Sequence, residues 1–68
     1  MNPQPAVAQI GEAIEAWIQA NGTAVELARR MDVRQEQISR WRRGHTFPMY
    51  QSLTRLEEIL GVRLEPNR

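Results

Sequence analysis

Sixty-eight residues allow one small domain, which buries only about 60% of its unfolded surface and depends on efficient helix packing, a ligand or a partner. There is no cysteine and a single histidine, His45, so a disulfide framework, a thiolate metal site and a histidine-built zinc site are excluded, and no cofactor or small-molecule ligand is implied. The net charge of +1 conceals a strong asymmetry: residues 1–28 carry −3, residues 29–45 carry +4 from six arginines against Asp32 and Glu36, and residues 46–68 are neutral.

A basic cluster confined to one stretch is the electrostatic footprint of a nucleic-acid binder, although such a cluster also describes an ordinary solvated face. All nine bases are arginine, which suits forked contacts to phosphate and guanine, and a GC-rich genome would give the same bias. No apolar run approaches the roughly 18 residues of a membrane span. The start, MNPQPAVAQ, lacks the basic and apolar regions of a signal peptide, so a soluble cytoplasmic protein with no membrane partner is expected. An enzyme is not expected. Glu57 and Glu58 are adjacent and do not face each other on a helix, and no nucleophile has a base beside it.

Residues 1–5 read as a flexible lead-in with two prolines and no periodicity. They hold no arginine or lysine for a DNA groove. The domain proper is expected over 6–62, with 63–68 as a short tail. From about Ala6 to Ala20 the spacing of Ile10, Ile14, Trp17 and Ile18 predicts a first helix with one apolar stripe. Trp17 is read as core rather than as a stacking platform, and Gly11 as a slight weakness in the helix. Asn21-Gly22 is a stop signal, with Gly22 expected in the left-handed cap conformation.

Thr23 to Glu26 spells a capping box, in which the hydroxyl caps the third helical amide and the glutamate reaches back. Leu27, Ala28 and Met31 then face inward along a second helix, and Arg29 and Arg30 point away. Asp32-Val33 forms the turn, since aspartate tolerates positive φ better than most residues. A third helix runs from about Arg34 to Arg43. Ile38, Trp41 and Arg34 mark its buried side on a helical wheel. Glu36, Ser39, Arg40 and Arg43 face outward, with Gln35 at the N-terminal edge, and Gly44 ends the helix. His45 to Pro48 links to a fourth helix, about Met49 to Leu60, striped by Leu53, Leu56, Ile59 and Leu60 and capped by Gly61. Phe47 and Val62 are expected to fold onto the core. The tail is too short and too broken by proline for another full helix.

An α-helix fits the major groove, where each base pair shows its own donor and acceptor pattern. Gln35 can hold adenine through N6 and N7, and Arg40, or second to it Arg43, can hold guanine through O6 and N7. Glu36 can accept from cytosine N4, or pair with Arg40 four residues on. Arg29, Arg30, Arg42 and Arg43 are assigned to phosphates, which position without reading sequence. Amides at the starts of the second and third helices can add phosphate contacts. His45 is a phosphate candidate or simply a solvated residue.

The combination of Thr23, Glu26-Leu27-Ala28-Arg29, Met31, Val33, Gln35, Ile38-Ser39, Trp41 and Gly44, followed by Pro48 and Leu60-Gly61-Val62, resembles the Cro/CI-type helix-turn-helix domains of phage and bacterial repressors. The likeness covers about residues 9–62. It implies an all-α, lambda-repressor-like bundle of four helices with room for a short fifth turn. It also implies a homodimer on double-stranded DNA, an inverted-repeat operator and transcriptional repression. In such domains the positions of Gln35, Glu36 and Arg40 reach bases. Ser39 joins them as a base candidate. The position of Arg43 and the start of the second helix, here Thr23, touch phosphate.

The chain departs from the family pattern in several places. Asp32 replaces the usual turn glycine. Arg34 replaces the Ser/Thr cap of the third helix and becomes a further phosphate candidate. Ala24 replaces a glutamine that often touches DNA. Arg42 stands where an acid is common and Trp17 where its arginine partner would be, leaving Arg42 for DNA or for an acid on the first helix. With the fifth helix cut short, Leu60, Val62 and Leu64 are the candidates for self-association. An antitoxin-type regulator belongs to the same class. A protein-interaction module on the same scaffold is the competing class, and positive charge at Arg40 and Arg43 argues against it.

Overall fold

The computed structural model describes residues 7–65. Its elements in chain order are β1 (Val7–Gln9), α1 (Ile10–Asn21), α2 (Ala24–Met31), α3 (Gln35–Arg43), α4 (Tyr50–Leu60) and β2 (Arg63–Glu65). Four helices around one core make an all-α bundle, with a short parallel ribbon where its ends meet.

The core follows from the apolar spacings. Ile14, Leu27, Ile38 and Leu56, one from each helix, are 0% exposed. Burying each such side chain contributes about 1.5–3 kcal/mol. Ile10, Trp17, Ala28, Met31 and Trp41 close around them, and Phe47, Leu53, Ile59 and Val62 pack at the edge. Trp17 is thus a core residue, and Phe47 and Val62 fold onto the core as their positions predict.

The helix ends have identifiable causes. The Thr23 hydroxyl accepts the Glu26 amide at 3.1 Å, forming half of the expected capping box. The other half is replaced: the Glu26 carboxylate turns to Arg30 and Arg29, at 3.2 and 3.7 Å. Asp32 ends α2 in the left-handed conformation at φ 59°, ψ 44°, the geometry the turn requires of a residue in glycine's place. Gly44 and Gly61 adopt it after α3 and α4. Gly22 ends α1 differently from the expectation, at φ 157°, ψ −123°, while its N–H still bonds back to Ile18. Arg34 is the extended N-cap of α3 and gives it no side-chain cap.

Two features lie outside the helical pattern. The first helix was expected from Ala6 but begins at Ile10, because Val7–Gln9 is extended and pairs with β2. The register is Val7 with Arg63, Ala8 with Leu64 and Gln9 with Glu65. The segment expected as a plain tail, or at most a short fifth turn, is therefore a strand over Arg63–Glu65. Glu57 on α4 helps to hold it, since its carboxylate accepts the Leu64 N–H at 2.9 Å. The lead-in of residues 1–5 and the end of the tail lie outside the described residues.

The second feature is Gly11. A β-carbon there would stand 2.6 Å from the carbonyl oxygen of Arg42, so α1 and α3 cross closer than any other residue allows. Gly11 is less a weakness of α1 than the seat of α3.

Candidate nucleic-acid interface

The turn at Asp32–Arg34 sets α3 against α1 and α2, with Ile38 and Trp41 turned into the core. The same rotation carries the polar residues of α3 outward. Gln35, Glu36, Ser39, Arg40 and Arg43 line one open depression on the surface. All are exposed except Ser39, which is half-buried. The helical wheel put these five residues on one face, and the structure brings them together. The ion pairs among the described residues leave Glu36 and Arg40 unjoined to each other, so neither of these side chains is occupied by the other.

The arginines given to phosphate fall into distinct environments. Arg29 and Arg30 share Glu26 in exposed pairs, and Arg30 also lies over the Trp17 ring, 5.5 Å from its centroid. Exposed pairs are each worth about 0–1 kcal/mol, so a phosphate can compete for either guanidinium. Arg34 is exposed, not on the buried side where the wheel puts it, because it is the extended N-cap and lies outside the helical rotation of α3, whose first amides lack a side-chain cap. Arg43 belongs to the α3 depression itself. Thr23 is spent as an acceptor in capping α2, and its hydroxyl hydrogen remains available to donate. His45 is exposed, and its backbone N–H donates to the Arg40 carbonyl at 2.9 Å, which holds it one step beyond the helix.

Arg42 differs from the rest. Its Nη2 donates to Glu15 Oε2 at 2.8 Å, and its Nε is 2.6 Å from Oε1, an ionic contact without hydrogen-bond alignment. Of the two partners open to Arg42 in the sequence, the acid on the first helix takes it. That acid is Glu15, which no local pattern in the sequence separates from Glu12. The guanidinium is engaged across the α1–α3 junction rather than standing free on the surface. Glu15 lies one turn beyond Gly11 on the same helix face, and only the fold brings that face to Arg42.

The self-association candidates also divide. Leu64 is 7% exposed and packs in the core of its own chain, so its side chain is removed from any interface. Leu60 and Val62 are half-buried and line an apolar groove with Ala13, Ala16, Trp17 and Ala20. Two large apolar side chains that no periodicity flagged, Met49 and Tyr50, are 80% and 81% exposed at the start of α4.

None of the described helices is long and apolar enough to cross a membrane. Searches of characterised proteins and of solved structures return no match. The helix-turn-helix family matches residues 14–67, which takes in all but the first turn of the bundle and the whole of the α2–turn–α3 unit. With that match joined to four helices in the expected order and a polar, arginine-bearing α3 face, the chain belongs to the Cro/CI-type helix-turn-helix family of DNA-binding regulators.

Proposed function

We propose that this protein is a small dimeric transcriptional repressor of the cytoplasm that binds an inverted-repeat operator with α3 in the major groove. The observation that carries the reading is the common depression of Gln35, Glu36, Ser39, Arg40 and Arg43. A forked donor for guanine, an amide for adenine and a carboxylate for cytosine stand on one helix face, and no ion pair among the described residues joins Glu36 to Arg40. Arg29, Arg30, Arg34 and Arg43, with Thr23 and His45, supply phosphate contacts around that face. Arg42 is left out of this set because Glu15 holds it. The apolar groove at Leu60 and Val62 supports self-association, which a single short half-site needs for useful specificity.

Selection of bound duplexes from a random pool tests the reading. The expected product is a pair of inverted half-sites about one helical turn apart. Recovery of a single half-site would remove the dimer, and recovery of no consensus would remove sequence-specific binding. Affinity for the selected duplex should fall steeply with salt through counterion release. Affinity that stays flat between low and physiological salt would remove the phosphate roles.

A further inference from the structure

We infer that Glu15 and Arg42 form a positioning clamp that sets the angle of the reading helix, with Gly11 as its seat. Two contacts converge on one residue of α3, and both come from one face of α1. The backbone of Arg42 lies so close to Gly11 that a β-carbon would meet its carbonyl oxygen at 2.6 Å. The guanidinium of Arg42 meets both oxygens of Glu15, at 2.6 and 2.8 Å. Gly11 and Glu15 are four residues apart, one turn of the same α1 face. Residue 42 is therefore gripped at its backbone by one turn of α1 and at its side-chain tip by the next.

The grip is on α3 where orientation matters. Arg42 adjoins Arg43 in sequence, and Glu15, Arg42, Arg43 and Ser39 border a polar depression that shares Ser39 and Arg43 with the reading face. A small rotation of α3 about its axis would swing Arg40 and Arg43 together. The core contacts of Ile38 and Trp41 resist translation, but packed apolar side chains are non-directional. The Arg42–Glu15 pair adds one aligned hydrogen bond, Nη2 to Oε2, and a close ionic contact at Oε1, and a charge-assisted hydrogen bond is directional. With 41% and 45% of their side chains exposed, the partners are too open to be a major source of stability. Their contribution is geometric.

This inference rests on the DNA-reading function proposed above, and the experiment separates the two. It uses the whole chain, a duplex recovered by wild-type selection, and a scrambled duplex of equal length. Arg42→Lys keeps the charge and loses the fork, and Glu15→Gln removes the anion. Each is expected to narrow the affinity ratio between the duplexes by roughly fivefold or more, the lower end of what one bidentate base contact discriminates. Each should leave the salt slope unchanged and shift the α1–α3 angle, measured by residual dipolar couplings on the free protein. An affinity ratio that survives Arg42→Lys overturns the clamp. So does a salt slope that drops by about 0.9, one phosphate, in Arg42→Gln, or couplings unaltered in Glu15→Gln. If the wild-type chain selects no duplex, the DNA reading fails, and the couplings still decide whether the clamp exists.

Discussion

Replacing Gly11 by alanine puts the α1–α3 junction to a direct test. The new β-carbon would sit 2.6 Å from the Arg42 carbonyl oxygen, where ordinary contact begins at 3.4 Å, leaving it about 0.8 Å short of room. The obstacle is backbone, so no flexible side chain can swing aside, and the two helices must separate. Helix propensity acts the other way: alanine is favoured over glycine by about 1 kcal/mol in a helix interior. Gly11 is only the second residue of α1, which reduces that gain. Overpacking of a close junction costs about 1–3 kcal/mol. The clash therefore outweighs propensity, and the net loss should be about 1–2 kcal/mol. For a domain of this size that is a fall in Tm of roughly 5–15 °C. Thermal and urea unfolding followed by far-UV circular dichroism would measure it. A rise in Tm of the size propensity alone would give refutes the close approach, and with it the seat assigned to α3.

Other variants probe separate links. Arg40→Ala should abolish preference for the selected duplex while leaving the helical dichroism intact, and an unchanged preference would displace the assigned reading face. Thr23→Ala should cost about 1 kcal/mol in denaturant unfolding, the worth of its cap on the Glu26 amide. No loss would mean that the uncapped amide is solvated without penalty. Asp32→Gly should leave stability unchanged or raise it by up to about 1 kcal/mol, because glycine adopts φ 59° without the steric cost carried by aspartate. A clear loss in that variant would show that the aspartate side chain contributes more than its backbone geometry.

Much of this fold was legible because its determinants are local. The fully buried residues Ile14, Leu27, Ile38 and Leu56 each lie on a 3.6-residue stripe of their own helix. The α3 outward face followed from the same arithmetic, since fixing Ile38 and Trp41 inward leaves Gln35, Glu36, Arg40 and Arg43 nowhere else to point. What could not be read depends on residues distant in the chain. The strands are three residues each, too short to show an alternation, and Val7 finds its partner at Arg63. Gly11 and Glu15 owe their meaning to Arg42. Glu57 owes its role to the Leu64 amide, and burial of Leu64 removes it from the surface it was expected to share with Leu60 and Val62.

The ribbon of β1 and β2 also bears on the order in which the molecule assembles. Val7 and Arg63 are 56 positions apart, so pairing them in an unstructured chain costs on the order of 4 kcal/mol in closure entropy. Three-residue strands offer only a few backbone bonds, each worth about 1 kcal/mol net, and cannot nucleate such a loop. The helices, built from contacts near in sequence, must already have brought the ends together. The ribbon is therefore a late latch: it closes only over a finished bundle. Its amides should accordingly exchange with solvent sooner than those of the buried turns around Ile14 and Ile38, opening while the helices beneath remain intact.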